Sequence, residues 1–250
     1  VHVFLDLWGV LLDSDRMQRE YGPELARQMT GRFGGEPDRW VIAHTAAWTE
    51  YVREVERVDW GEGSWSETVG ALDGRFAVRI LELAGVAWRP SDPLAFSQEL
   101  EQKVMSRIDA RFPDSRTAVE KLRAAGHRVY VATQASQANA RGALIGAGLL
   151  DNLDGVFSGT SQDSVKSHRK FWDRIRKGLG LAAGDGVAVD DRPDYLGAAA
   201  SAGFHCLLLD REDIFTSLAL PAHTRAVLRN LAGLPHYIDV LAAAHQRASE

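Results

Sequence analysis

The chain has 250 residues, 45% of them hydrophobic and 25% charged, enough to bury one large core or one core with a smaller satellite. A formal charge of −5 and a pI near 5.9 exclude a generally basic surface, so a dedicated nucleic-acid binder is not expected and any anionic ligand would need a local cationic site. Its one cysteine, Cys206, lies in the apolar run Phe204 to Leu209 and can form no internal disulfide, no run of about 18 apolar residues suggests a membrane span, and the chain opens on the strand-like Val1-His2-Val3-Phe4-Leu5 with no room for a signal segment. A soluble cytoplasmic protein is the expectation.

In chain order, the first element is a short apolar strand over Val1 to Leu7. About a hundred residues of different character follow. Segments near Asp15 to Thr30, Asp38 to Arg57, Ser64 to Leu83 and Asp92 to Arg107 have the spacing of amphipathic helices, broken at Gly34-Gly35, Gly61 to Gly63 and Pro90 to Pro93. Strands are then expected at Arg128 to Thr133, Gly155 to Ser158, Gly186 to Asp190 and His205 to Leu209. Helical stretches such as Ala135 to Ala147, Lys170 to Leu179 and Tyr195 to Ala202 alternate with them. His223 to Ala248 reads as one or two further helices interrupted by Gly233 to Pro235. Alternation of strand and helix predicts an α/β fold with a parallel sheet covered on both faces, and a helical insertion after strand 1 accounts for the gap.

In an open parallel sheet, ligands collect at the carboxyl ends of the strands. Here those ends carry Asp6, Thr133 and the pair Asp190-Asp191, with Lys166 just beyond the third strand. A carboxylate such as Asp6 can attack phosphorus or an alkyl carbon and form a covalent intermediate that water later cleaves. Paired carboxylates can hold Mg²⁺ through oxygen and screen an anionic nucleophile from an anionic substrate. Lys166 would add neutralisation. The Thr133 hydroxyl, with Gln134 beside it, would contact substrate oxygens near the start of the next helix. Each residue has a plainer use: Asp6 as a turn carboxylate, Thr133 as a β-branched strand residue, Lys166 as a solvated loop cation, and Asp191 as the N-cap of a helix starting near Pro193.

The run Val3-Phe4-Leu5-Asp6-Leu7-Trp8-Gly9-Val10-Leu11 resembles the first motif of the haloacid dehalogenase superfamily, a strand ending in Asp-x-Asp-Gly-Thr or Val. Ala132-Thr133 resembles the second motif, Lys166 with Phe171 the third, and Val187 to Asp191 followed by Ala198 to Gly203 the fourth. In that order the motifs span nearly the whole chain. The resemblance implies a Rossmann-like core of strand order 3-2-1-4-5, formed by residues 1–13 and 109–250, with a helical cap over 14–108. It also implies an Asp6 nucleophile assisted by Thr133 and Lys166, and Mg²⁺ held by Asp6, the Trp8 carbonyl and Asp191, with Asp190 in support.

The largest departure is Trp8. Phosphatases of the family carry there an Asp that protonates the leaving group and then activates water, and an indole can do neither. The dehalogenases carry an aromatic residue at that place, usually Tyr, but they need no metal and lack the acidic pair. In them a cap arginine receives the halide, and Arg39 or Arg32 is a candidate counterpart. The third motif reads Lys166-Ser167-His168-Arg169 instead of Lys-Pro-x-Pro. Tyr195 stands where relatives have Asp or Asn, with Asp194 one place early. The expected activity is Mg²⁺-dependent phosphoester or acyl-phosphate hydrolysis, or phosphoryl transfer, on a small phosphorylated metabolite, with Arg39, Trp8 and Gln134 as substrate contacts. The alternatives are a 2-haloacid dehalogenase and a catalytically impaired homologue that binds a ligand or protein. Five tryptophans, Trp40, Trp48, Trp60, Trp65 and Trp88, fall in the insertion, mostly as expected core, and the histidines lack ligand spacing for zinc.

Overall fold

The structure, a computed structural model, describes residues 1–60, 64–215 and 223–249. The break expected at Gly61 to Gly63 lies outside them. Six parallel strands form one sheet in the order β3-β2-β1-β4-β5-β6, namely β1 (His2–Leu5), β2 (Arg128–Thr133), β3 (Gly155–Ser158), β4 (Gly186–Asp190), β5 (His205–Leu209) and β6 (Thr224–Leu228). The expected Rossmann-like order is present, extended by one strand. The register sets Val3 beside both Val129 and Val187, and Leu5 beside Val131 and Val189. These residues line one face and Phe4 and Ala188 the other, and all are buried, as a strand covered on two sides requires.

β6 corrects the expectation of a helix starting at His223. Thr-Arg-Ala-Val-Leu is too short for a stable helix, and the edge of β5 offers it a hydrogen-bonded ladder. Helical spacing is realised only beyond it, in Leu234–Ser249.

The chain divides into two compact units. The first comprises Val1–Asp13, Arg111–Gln134 and Leu149–Glu250 and holds the sheet. One face of the sheet packs Phe4, Tyr130, Phe171, Trp172, Leu196 and Phe204 into a single cluster. The second comprises Ser14–Ala110 and Ala135–Gly148. It is built from α1 (Ser14–Phe33), α2 (Pro37–Val55), α3 (Trp65–Leu83), α4 (Pro93–Met105) and, after α5 (Ser115–Ala124) in the first unit, α6 (Gln137–Gly146). α6 follows β2, yet it groups with the inserted helices. Gly142 and Gly146, one turn apart, make this possible: a Cβ on Gly142 would lie 2.7 Å from the Gln102 carbonyl, and one on Gly146 would collide with that of Ile108.

Within the second unit Trp40 is fully buried and donates from its indole to the Gly34 carbonyl, whereas Trp48 and Trp88 are 50% and 42% exposed. The insertion's tryptophans are therefore only partly core. No helix among the described residues is long and apolar enough to cross a membrane.

Candidate active site

β1 delivers Asp6 to the carboxyl edge of the sheet, where its N–H donates to the Val189 carbonyl of β4 at 2.9 Å. The chain then turns back at once. Leu11 and Leu12 N–H groups donate to the Leu7 carbonyl, and Gly9 sits at φ +82°, a conformation that favours glycine. Side chains clamp the turn: Ser115 Oγ donates to the Leu11 carbonyl at 2.7 Å, and Arg211, which forks Asp114, donates to that of Val10 at 2.7 Å. Gly9 has a second role. A Cβ there would overlap the Asp191 carboxylate, so only glycine lets that acid lie against the turn.

Lys166 is fully buried. Its Nζ lies 2.5 Å from Asp6 Oδ1 and 2.6 Å from Asp190 Oδ2. Its backbone is held from two sides, the N–H donating to Gln134 Oε1 at 2.5 Å and the carbonyl accepting from Trp172 Nε1 at 3.0 Å. Trp172 comes from α8, the helix Arg169–Gly178 beyond the short α7 (Gly159–Gln162). Asp190 uses its other oxygen to accept the Arg192 N–H at 2.9 Å. Thr133 ends β2, 2% exposed.

Asp6, Asp190 and Asp191 bring one carboxylate oxygen each within 4.8 Å of one another. Three acids therefore face one ammonium in a largely water-excluded place. Burial pushes the Asp6 carboxyl up to about 7 despite the Lys166 charge, and the Asp190 charge adds to the rise. Burial likewise lifts Asp190 to about 6 against the pull of Lys166, and lifts Asp191, assisted by the Asp6 charge. Burial alone would favour neutral Lys166, but Asp190 and Asp6 outweigh it and its pKa rises. Carboxyl groups outnumber the ammonium three to one, and an oxygen-liganded divalent cation fits this donor set.

Gln134, expected to meet substrate, accepts the Lys166 N–H with its side-chain carbonyl. The N-cap of α9 (Pro193–Ser201) is Arg192, so Asp191 does not cap that helix. Asp194 is exposed and forked by Arg192 at 3.1 and 2.9 Å. Arg39 belongs to the helical unit, where its exposed side chain lies beside Gly35 and Gly85. Arg32 stacks over Phe33, Trp88 and Phe96 in the same unit. Arg169 is exposed and pairs with Asp173 at 3.1 Å. Cys206 is buried and donates to the Leu196 carbonyl, its thiol pushed up to about 12 by burial, so it is inert.

Sequence reasoning missed two aromatic neighbours of Lys166. The ring centroids of Trp172 and Tyr195 lie 5.9 and 5.2 Å from Nζ. Tyr195 carried a signal, since it departs from the family's polar residue. Trp172 carried none, because an indole in an amphipathic helix reads as core.

Comparison with known proteins agrees with this geometry. The chain is 31% identical over 130 residues to Phosphatase MT3486 of Mycobacterium tuberculosis, a stretch spanning 51% of this chain and only 56% of that relative. Its fold is similar to that of a 2-haloacid dehalogenase from Pseudomonas syringae pv. Tomato (TM-score 0.63, 19% identity, 95% of this chain and 97% of that one). It is also similar to that of a HAD phosphatase from Thermococcus onnurineus (0.60, 18%, 95% and 97%) and of the L-2-haloacid dehalogenase of Xanthobacter autotrophicus (0.55, 16%, 96% and 98%). The family profile described as haloacid dehalogenase-like hydrolase matches residues 2–203, and with the site assembled as described, the chain belongs to the haloacid dehalogenase-like hydrolases.

Proposed function

We propose that the protein hydrolyses, or transfers the phosphoryl group of, a small phosphorylated metabolite through a covalent aspartyl-phosphate on Asp6. The observation that carries this reading is the excess of carboxylates: Asp6, Asp190 and Asp191 converge where Lys166 supplies one positive charge. Asp6, Asp191 and the Trp8 carbonyl would hold Mg²⁺, with Asp190 in support, and the ion would neutralise charge on the carboxylates and the phosphoryl oxygens. Lys166, gripping Asp6 Oδ1, orients the carboxylate so that its other oxygen attacks phosphorus. Thr133 would donate its hydroxyl to a phosphoryl oxygen. Phosphoserine-like substrates, whose alkoxide leaves only with a proton, are poor for this site because Trp8 has none to give. General acid–base assistance is worth about 10²–10⁴-fold. Acyl and aryl phosphates, which leave as stable anions, are the preferred class. The inserted helices serve as the cap, and specificity resides there.

The test is a panel of acyl, aryl and alkyl phosphates assayed with Mg²⁺ and with EDTA, using Asp6→Asn as the blank. Aryl phosphate should be turned over at least about 10²-fold faster than alkyl phosphate, only with Mg²⁺, and Trp8→Asp should narrow the gap. Equal rates on both classes would overturn the account of Trp8. A second reading rests on the aromatic residue itself: a C–halogen hydrolase needs no leaving-group acid. Halide release from 2-haloacids that survives EDTA would replace the first reading by this one. Mg²⁺-dependent binding of aryl phosphate without turnover would identify an impaired, ligand-binding homologue.

A further inference from the structure

Lys166 has three N–H donors and two carboxylate partners. Two aromatic rings lie near it: Tyr195 at 5.2 Å and Trp172 at 5.9 Å from Nζ to ring centroid. Tyr195 is the nearer and is engaged by a second cation, because the Arg192 guanidinium carbon lies 4.3 Å from the same centroid. Among the described residues its hydroxyl makes no hydrogen bond, so what Tyr195 offers is its ring. An aromatic face attracts an ammonium electrostatically but is a diffuse partner compared with an oxygen lone pair.

We propose that Tyr195 is a positioning residue, whose ring takes the place of a polar acceptor for the Lys166 ammonium and so confines Nζ to the bridge between Asp6 and Asp190. An Asn or Asp at this place would compete for one of the three protons. The ring does not, and it keeps water from Nζ, which is fully buried. The ammonium is then held by its hydrogen bond to Asp6 and its ion pair with Asp190. Asp6 gains a fixed carboxylate plane, which is what an attack in line with the leaving group needs. Arg192, tied to Asp194 by two hydrogen bonds, holds the ring in turn.

The effect is on placement, and two independent measurements read it. The first is the NMR spectrum of protein labelled with ¹³C and ¹⁵N at lysine. Protons held over an aromatic face move upfield, so the Lys166 Hε and Nζ resonances should lie upfield of those of the exposed lysines. They should stay there in Tyr195→Phe and return towards the exposed positions in Tyr195→Leu. The second is kinetic and rests on the hydrolase reading above. With an aryl phosphate and Mg²⁺, Tyr195→Phe should remain within about twofold of wild type. Tyr195→Leu should lose about tenfold or more in kcat with KM little changed, since the ring is worth about that factor to a desolvated cation. Should Tyr195→Leu fail to fold, judged by circular dichroism, Tyr195→Met takes its place. A Lys166 resonance unmoved by loss of the ring would overturn the proposal, as would a Tyr195→Phe defect equal to that of Tyr195→Leu. If wild type turns over no substrate, the hydrolase reading fails alone, and the lysine resonances still decide the role of Tyr195.

Discussion

Both units of the molecule enclose carboxylates, but they balance them differently. In the sheet unit, Asp6 and Asp190 share the Lys166 ammonium. In the helical unit, Asp73 of α3 accepts the Tyr51 hydroxyl at 2.9 Å, and Glu101 of α4 accepts Ser136 Oγ and Asn139 Nδ2, each at 2.9 Å. Those donors are neutral. Asp73 is pushed up to about 7, first by burial and then by the Glu101 charge, with only the Tyr51 hydrogen bond opposing. Asp6 reaches about the same value with a full positive charge pulling the other way. Similar pKa values thus describe opposite designs. One sets its acids against a resident cation, while the other gives its acid only a neutral donor. A perturbed carboxyl by itself does not mark an active site; the cation beside it does.

The comparison can be broken most forcefully at Lys166. Lys166→Met leaves two buried acids without their cation, and breaking such a pair costs about 3–5 kcal/mol. Urea unfolding at pH 8 should show a loss of that size, with activity on aryl phosphate abolished, whereas an unchanged midpoint would mean that the acids are solvated. A smaller effect is expected from Gly9→Ala. The positive φ alone costs about 1 kcal/mol for a residue with a Cβ, and the new methyl displaces Asp191. Added Mg²⁺ should then raise the melting temperature less than it does in wild type, and an undiminished rise would show that Asp191 is not needed for the ion. Smallest is Asp73→Asn, where the sign depends on pH. A carboxyl whose pKa is raised on folding, here from 3.8 to about 7, contributes stability below its unfolded pKa that is lost as pH rises through the folded one. Asn cannot ionise and keeps an acceptor for Tyr51. The variant should match wild type near pH 3, below the unfolded pKa, exceed it already at pH 5 and melt a few degrees higher near pH 8, and the reverse order would refute the neutral-acid account.

Much of the sheet unit could be read from the residues because its strands are short, mainly apolar runs. Asp6, Thr133 and Asp190-Asp191 were legible as candidates at or just past their carboxyl ends, and Lys166 only as a residue some way beyond the third. β6 escaped because its five residues alternate weakly and form a strand only by pairing with β5. The partners of Lys166 escaped for a related reason. Gln134 and Trp172 lie 32 and 6 residues away, and their hydrogen bonds to its backbone leave no periodic trace. The membership of α6 was equally hidden, since Gly142 and Gly146 look like helix-weakening residues until their neighbours are known.

That glycine pair limits how the protein can be rebuilt. The helical unit consists of two stretches of chain, Ser14–Ala110 and Ala135–Gly148, so it is not a detachable cassette. A chimera that exchanges only the first stretch for a relative's would confront α6 with an unfamiliar neighbour. Any side chain larger than the one at Met105, or any shift of the Gln102 and Ile108 carbonyls, would meet a helix with no slack to yield. Transplanted specificity should succeed only when residues 135–148 travel with the insertion.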